Sequence, residues 1–173
     1  MTTDSTSEQE PAPTYWELER HIRTALSEGF VAEWLHRQYP DTIWDGVNNR
    51  LFDVSSTAGD KRIDAKAGFF GTYRDAHGAE VDGLGFMGSS RDIQGRDGVT
   101  DYGITVLTSD ARLSTANPGR FELLGTVHGK LFVIPAAEIN RIAAPEFTKT
   151  GSVGRGLNRW IPLHLANEYL EIE

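Results

Sequence analysis

Two short strand-like stretches, Leu51–Val54 and Lys61–Ala67, flank the polar run Ser56-Thr57-Ala58-Gly59-Asp60. Strand-forming residues on both sides of a turn-rich segment predict a β-hairpin. If the hairpin is symmetric about Ala58-Gly59, residue 53 lies opposite residue 64. Directly opposed side chains in an antiparallel pair have Cβ atoms about 4.5–5.5 Å apart. The arrangement therefore sets two carboxylates, Asp53 and Asp64, against each other. Such a pair is destabilising unless something compensates, and a bound cation is the simplest compensation. Asp64 and Lys66 share a face because strand side chains alternate with period two, while Ala65 points the other way. One patch would then hold Asp53, Asp64 and Lys66, and a one-residue slip in register would scatter it.

The rest of the chain predicts what surrounds this hairpin. Residues 1–13 are polar and contain proline, and read as a disordered tail. Thr14 and Glu17 form a capping box, and Trp16, Ile22, Leu26, Phe30, Val31, Trp34 and Leu35 recur at helical spacing to about Arg37. Gly29 is expected to divide this run in two. A short strand is expected at Thr42–Trp44. Residues 68–100 hold eight glycines and read as a long functional loop. Tyr102–Leu107 is a further apolar strand. Phe121–Val127 and Leu131–Ile134 form a second hairpin about His128-Gly129. Pro135 suits the first position of a helix over Ala136–Ile142. Residues 145–158 read as loop, Trp160–Leu163 as a last strand, and His164–Leu170 as a helical turn or two. This order predicts an α/β or α+β domain over residues 14–173, with one central mixed sheet flanked by helices.

Composition narrows the function. Apolar residues make up 39% and charged residues 24% of the 173, a balance that suits one globular domain. There is no cysteine, so thiol catalysis, disulfides and thiolate zinc sites are excluded. No apolar run is long enough to span a bilayer, and the N-terminus lacks the pattern of a secretory signal, so a cytoplasmic location is expected. The net charge of −8 argues against a general nucleic-acid binder. It is compatible with a site where a metal supplies the positive charge for a phosphate.

Two carboxylates and an ammonium on one face suit phosphodiester hydrolysis. Mg²⁺ takes oxygen ligands and keeps several waters, so two carboxylates plus phosphate oxygens make a reasonable site. The metal would polarise the phosphoryl oxygen and activate a bound water. The ammonium would orient that water or stabilise developing charge.

The run Phe52-Asp53-Val54 followed by Ile63-Asp64-Ala65-Lys66 resembles the PD-(D/E)xK nuclease superfamily, which includes many restriction endonucleases. The likeness extends by element order over roughly residues 15–165 and by identity over only a few positions. It implies a restriction-endonuclease-like sheet and a Mg²⁺-dependent endodeoxyribonuclease, with Mn²⁺ as a possible substitute. The implied subtype is a sequence-specific restriction enzyme acting as a homodimer on duplex DNA. It also implies metal-binding roles for Asp53 and Asp64, a water-assisting role for Lys66 and a supporting metal role for the helical Glu33. Phe52 stands where the motif has proline. The literal Pro40-Asp41 lies outside the hairpin, and Asp45 is a weaker candidate at the end of the preceding strand.

Other readings stand beside these. A junction resolvase, repair nuclease or nicking enzyme would use the same core, and a non-catalytic DNA-binding module would keep only the fold. Glu33 is also placed to pair with Arg37 on an exposed helix face. Arg74, Arg91 and Arg96 are candidate DNA contacts, yet each has an acid beside it, in Asp75, Asp92 and Asp97. Gly83-Leu84-Gly85-Phe86-Met87-Gly88 matches GxGxxG but lacks the strand-then-helix setting of a dinucleotide site. His128 reads as a hairpin-turn residue.

Overall fold

A computed structural model describes residues 20–44, 52–75, 77–88, 98–109, 112–114, 122–124, 127–143 and 157–172. Helix α1 spans Arg20–Gln38. It is followed by strands β1 (Ile43–Trp44), β2 (Val54–Ser56), β3 (Lys61–Arg74), β4 (Glu80–Gly88), β5 (Asp101–Ser109), β6 (Arg112–Ser114), β7 (Glu122–Leu124) and β8 (Val127–Pro135). Helix α2 (Ala136–Ile142), strand β9 (Leu157–Pro162), the short helix α3 (Leu163–Ala166), a 3₁₀ turn and strand β10 (Leu170–Ile172) complete the order. The protein is a mixed α+β structure with a curled mixed sheet. The main path runs β1-β2-β3-β5-β8-β10, and β4 joins β3 to β9 beside it. β3 and β5 are parallel, and the other pairs are antiparallel.

β3 decides the architecture. Its first half pairs with β2 and β5, and from Gly68 onward it pairs with β4. Its Ile63 and Ala65 enter one core, and the strands around it build a second. Ile63 and Ala65 pack with Val31 and Leu35 of α1. On the opposite face, Tyr102 and Ile104 of β5 join Leu84, Phe86, Phe132 and Ile134 beneath α2 and α3. Fully burying side chains of this size contributes about 1.5–3 kcal/mol each, so the two cores hold β3 and its neighbours strongly in register.

Several expectations are met: the strand at Ile43–Trp44, the hairpin of β2 and β3, the strand β5, and the helix that starts directly after Pro135. Others are corrected. α1 runs through Gly29 without a break. A glycine costs a helix only about 1 kcal/mol relative to alanine. Here the Trp44 indole fills the space, lying 3.2 Å from where a Cβ would stand.

The glycine-rich segment 68–100 is not a loop over most of its described length, because β3 extends to Arg74 and β4 occupies Glu80–Gly88. The glycines there make room for aromatic rings. A Cβ on Gly85 would lie 2.6 Å from the Phe69 ring and 3.0 Å from Trp160. Trp160 stacks on Tyr73 at 5.7 Å and meets Phe69 edge-on at 5.2 Å. Glycine here signals close packing, which composition alone cannot distinguish from a loop.

His128 is not a turn residue either. β8 runs straight through His128 and Gly129, pairing them with Thr108 and Leu107 of β5, while β7 pairs with β6. The Leu107 side chain occupies the space that a Cβ on Gly129 would need. The expected tail, the Thr14 cap and Trp16 lie outside the described residues, as do Asp45, Arg91 and Arg96. No helix among the described residues is long and apolar enough to cross a membrane.

Candidate functional site

The site begins with the register of the first hairpin. Val54 pairs with Ile63, Ser55 with Arg62 and Ser56 with Lys61, and the ladder ends there, with Asp53 just beyond it and its carboxyl within hydrogen-bonding reach of Asp64. β2 starts only at Val54, and Asp53 lies just before it. The Asp53 N–H still donates to the Ile63 carbonyl at 2.9 Å. The next ladder bond is supplied by a side chain: Asp53 Oδ2 accepts the Ala65 N–H at 2.8 Å. That bond fixes the carboxyl beside β3 where the two backbones part.

The turn that sets the register has its own brace. Asp41 accepts the Ser56 hydroxyl at 2.6 Å and the Ala58 N–H at 2.8 Å. The Ser56 hydrogen bond, with help from Ala58, holds the Asp41 carboxyl below its ordinary value. The acid of the literal Pro-Asp thus shapes the hairpin and does not enter the site.

Asp64 and Lys66 lie on the face of β3 opposite α1. Asp64 is 4% exposed. Lys66 turns inward, with its side chain 18% exposed and Nζ 3.2 Å from Asp64 Oδ2. Burial pushes the Asp53 carboxyl above its usual range, and the negative charge of Glu28 adds to the rise. The Ala65 N–H, a hydrogen bond with Asp64 and the Lys66 ammonium act in the opposite direction. Two carboxyls that hydrogen-bond to each other need a proton between them, the usual outcome when like charges share a partly buried site.

The helical acid differs from expectation. Glu33 is 65% exposed and pairs with Arg37 at 2.7 Å, an i,i+4 contact on the outer face of α1. The acid whose charge reaches Asp53 is Glu28, which also accepts the Trp44 indole N–H at 3.0 Å. The helical period accounts for this. Ser27, Val31 and Leu35 are buried at four-residue spacing and define the inner face, which Glu28 borders and Glu33 opposes. The apolar pattern of the sequence already carried that signal.

The remaining cations near β3 are committed elsewhere. Lys61 pairs with buried Asp101 at 3.2 Å. Arg62 pairs with Asp60 at 2.9 Å and donates to the Gly98 carbonyl. Arg74 sits at the far end of β3, exposed and 3.5 Å from Glu80, so its partner is not the adjacent Asp75. Asp75 instead holds the β3–β4 turn through the N–H groups of His77 and Ala79. Eight residue steps along the strand separate Arg74 from Lys66, a span of up to about 26 Å.

The structure therefore brings together Asp53, Asp64 and Lys66, adds Glu28 at the margin, and leaves out Glu33 and Arg74. Among the described residues no three acids or histidines gather closely enough to enclose a metal by themselves. Two carboxylates remain compatible with Mg²⁺, which usually keeps waters and takes the rest of its shell from substrate phosphates. Comparison with family models, with curated proteins and with solved structures finds no match to this chain.

Proposed function

We propose that this protein is a Mg²⁺-dependent endodeoxyribonuclease with a restriction-endonuclease-like core, acting on duplex DNA as a homodimer. The observation that carries the reading is the hydrogen-bonded Asp53–Asp64 pair with Lys66 Nζ 3.2 Å from Asp64. A solvated strand edge would not bury Asp64, nor turn a lysine back onto it at 18% exposure. Burying charge is costly unless it is paired or binds a metal, so its presence calls for a use.

Asp53 and Asp64 would hold the metal, with Glu28 adding negative charge behind Asp53. Bound there, Mg²⁺ supplies Lewis acidity at the phosphoryl oxygen and a more acidic water. The chain's own groups do the rest. The Ala65 N–H fixes Asp53 Oδ2, so the carboxylate need not reorganise as the substrate arrives. Lys66 Nζ, tethered by Asp64, donates to the attacking water or to the charge that builds on the phosphoryl oxygens. Hydrophobic packing of Ile63 and Ala65 against α1 keeps the strand, and so the carboxylate spacing, in place.

The test is cleavage of a plasmid and phage DNA panel with Mg²⁺, Mn²⁺ or EDTA, comparing wild type with Asp64→Ala and Lys66→Ala. Discrete, metal-dependent fragments that disappear in both variants are expected. Branched and single-stranded substrates in the same panel separate a restriction enzyme from a resolvase, repair or nicking enzyme. A folded, metal-supplied wild type that cuts none of these substrates would refute the nuclease reading and leave a DNA-binding module.

A further inference from the structure

Every other arginine with a described side chain has an acidic partner: Arg37 with Glu33, Arg62 with Asp60, Arg74 with Glu80 and Arg141 with Glu138. Arg159 on β9 differs. It is only partly exposed, and its Nε is buried with no hydrogen-bond partner. A guanidinium carries five donors and cannot shed its charge, so leaving its Nε buried without an acceptor is costly. Such a group calls for an anion from outside the chain.

The sheet register shows where that anion would be. Gly68 pairs with Phe86 across β3 and β4, and Phe86 pairs with Arg159 across β4 and β9. Paired residues share a face, so Arg159 lies on the face that carries Lys66, two residues from Gly68. Two strand spacings put the Arg159 Cα about 10 Å from that of Gly68, and about 12 Å from that of Lys66. Phosphates along one DNA strand advance about 3.4 Å along the axis per nucleotide, so the offset spans a few nucleotides.

We propose that Arg159 is a phosphate contact for bound duplex DNA, seating the backbone a few nucleotides from the bond cleaved at Asp53, Asp64 and Lys66. This rests on the nuclease reading above. The planar guanidinium matches a phosphate through two parallel N–H···O bonds, which a lysine cannot reproduce. The contact also gives a chain of net charge −8 a local basic point near the proposed site.

The experiment measures binding of a fluorescent duplex in Ca²⁺, as a non-cleaving cation, over a salt series. Wild type, Arg159→Met, Arg159→Lys and Arg141→Met are compared. Arg159→Met is expected to weaken binding about tenfold and to lower the salt slope by about one counterion. Arg159→Lys keeps the slope with a smaller loss, and Arg141→Met, which removes an exposed paired cation, behaves as wild type. Without DNA, Arg159→Met melts no lower than wild type, because it removes a buried donor that has no acceptor. If Arg159→Met keeps wild-type affinity and slope while wild type binds and cuts DNA, the contact is overturned and the nuclease reading stands. A lowered melting temperature with an unchanged slope gives Arg159 a structural role and equally overturns the contact. A wild type that neither binds nor cuts DNA overturns both. Arg159→Gln, which keeps a polar tip, repeats the salt series if the methionine variant does not fold.

Discussion

Asp53→Asn should make the metal-free protein more stable. Asparagine keeps an oxygen for the Ala65 N–H, which now donates to Asp53 Oδ2 at 2.8 Å. Its amide also offers a donor to Asp64, where wild type has a second acid. A hydrogen bond to a charged group contributes about 1.5–3 kcal/mol, and part of that is offset because wild type can hold a proton between the two carboxyls. The expected gain is about 1–2 kcal/mol near pH 8. Each kcal/mol raises the melting temperature of a domain of this size by about 2–4 °C.

The gain depends on pH, and its sign follows from burial. Burial raises the Asp53 carboxyl above its ordinary 3.8, so the folded state favours the neutral acid. Stability from that preference is complete below the ordinary value and is lost as pH rises through the raised one. Asparagine has no such loss, so its advantage is largest at high pH and shrinks toward pH 4. Mg²⁺ should reverse the order, because a ligand present at a hundred times its Kd stabilises the wild type by about 2.7 kcal/mol. The assay is thermal or urea unfolding of EDTA-treated protein from pH 4 to 8, repeated with Mg²⁺. The reasoning is refuted if Asp53→Asn is no more stable than wild type at pH 8 without metal, or if its advantage does not change with pH.

Lys66→Met leaves Asp64 buried without its cation and should cost about 3 kcal/mol at pH 8, read from the urea midpoint. The same variant should lower kcat at least a hundredfold in the cleavage assay. Glu28→Gln should raise the Mg²⁺ concentration for half-maximal cleavage about tenfold, whereas Glu33→Gln should leave that titration unchanged. Gly85→Ala drives a methyl into Phe69 and Trp160 and should destabilise by about 1–3 kcal/mol, seen as a lower urea midpoint with unchanged slope. Asp41→Asn should lower the melting temperature at pH 7. The deficit should narrow as pH falls through the lowered Asp41 value, because the wild-type carboxylate is then lost too.

Local periodicity carried much of this protein. The alternation of Ile63, Asp64, Ala65 and Lys66 set which side chains share a face. The turn symmetry set the pairing of Val54 with Ile63, because an antiparallel hairpin has few registers that keep both buried, and that brings Asp53 beside Asp64. Pro135 marked the start of α2, although it stands one position before the expected first helical residue, as an extended N-cap that ends β8. These are short-range constraints, acting within one hairpin or one helical turn.

What only the tertiary structure decided involves partners distant in the chain. Gly83 and Gly85 belong to a strand because Trp160, some 75 residues later, fills the space above them. Gly129 continues β8 because Leu107 occupies its missing side chain. Glu28 and not Glu33 borders the site because α1 presents Val31 and Leu35 to the sheet, and that rotation is set by burial. Arg159 shares a face with Lys66 through two strand pairings that no local pattern encodes. A sequence states which residues can do chemistry. Packing across long separations decides which of them meet, because glycine and charge change meaning with what lies opposite.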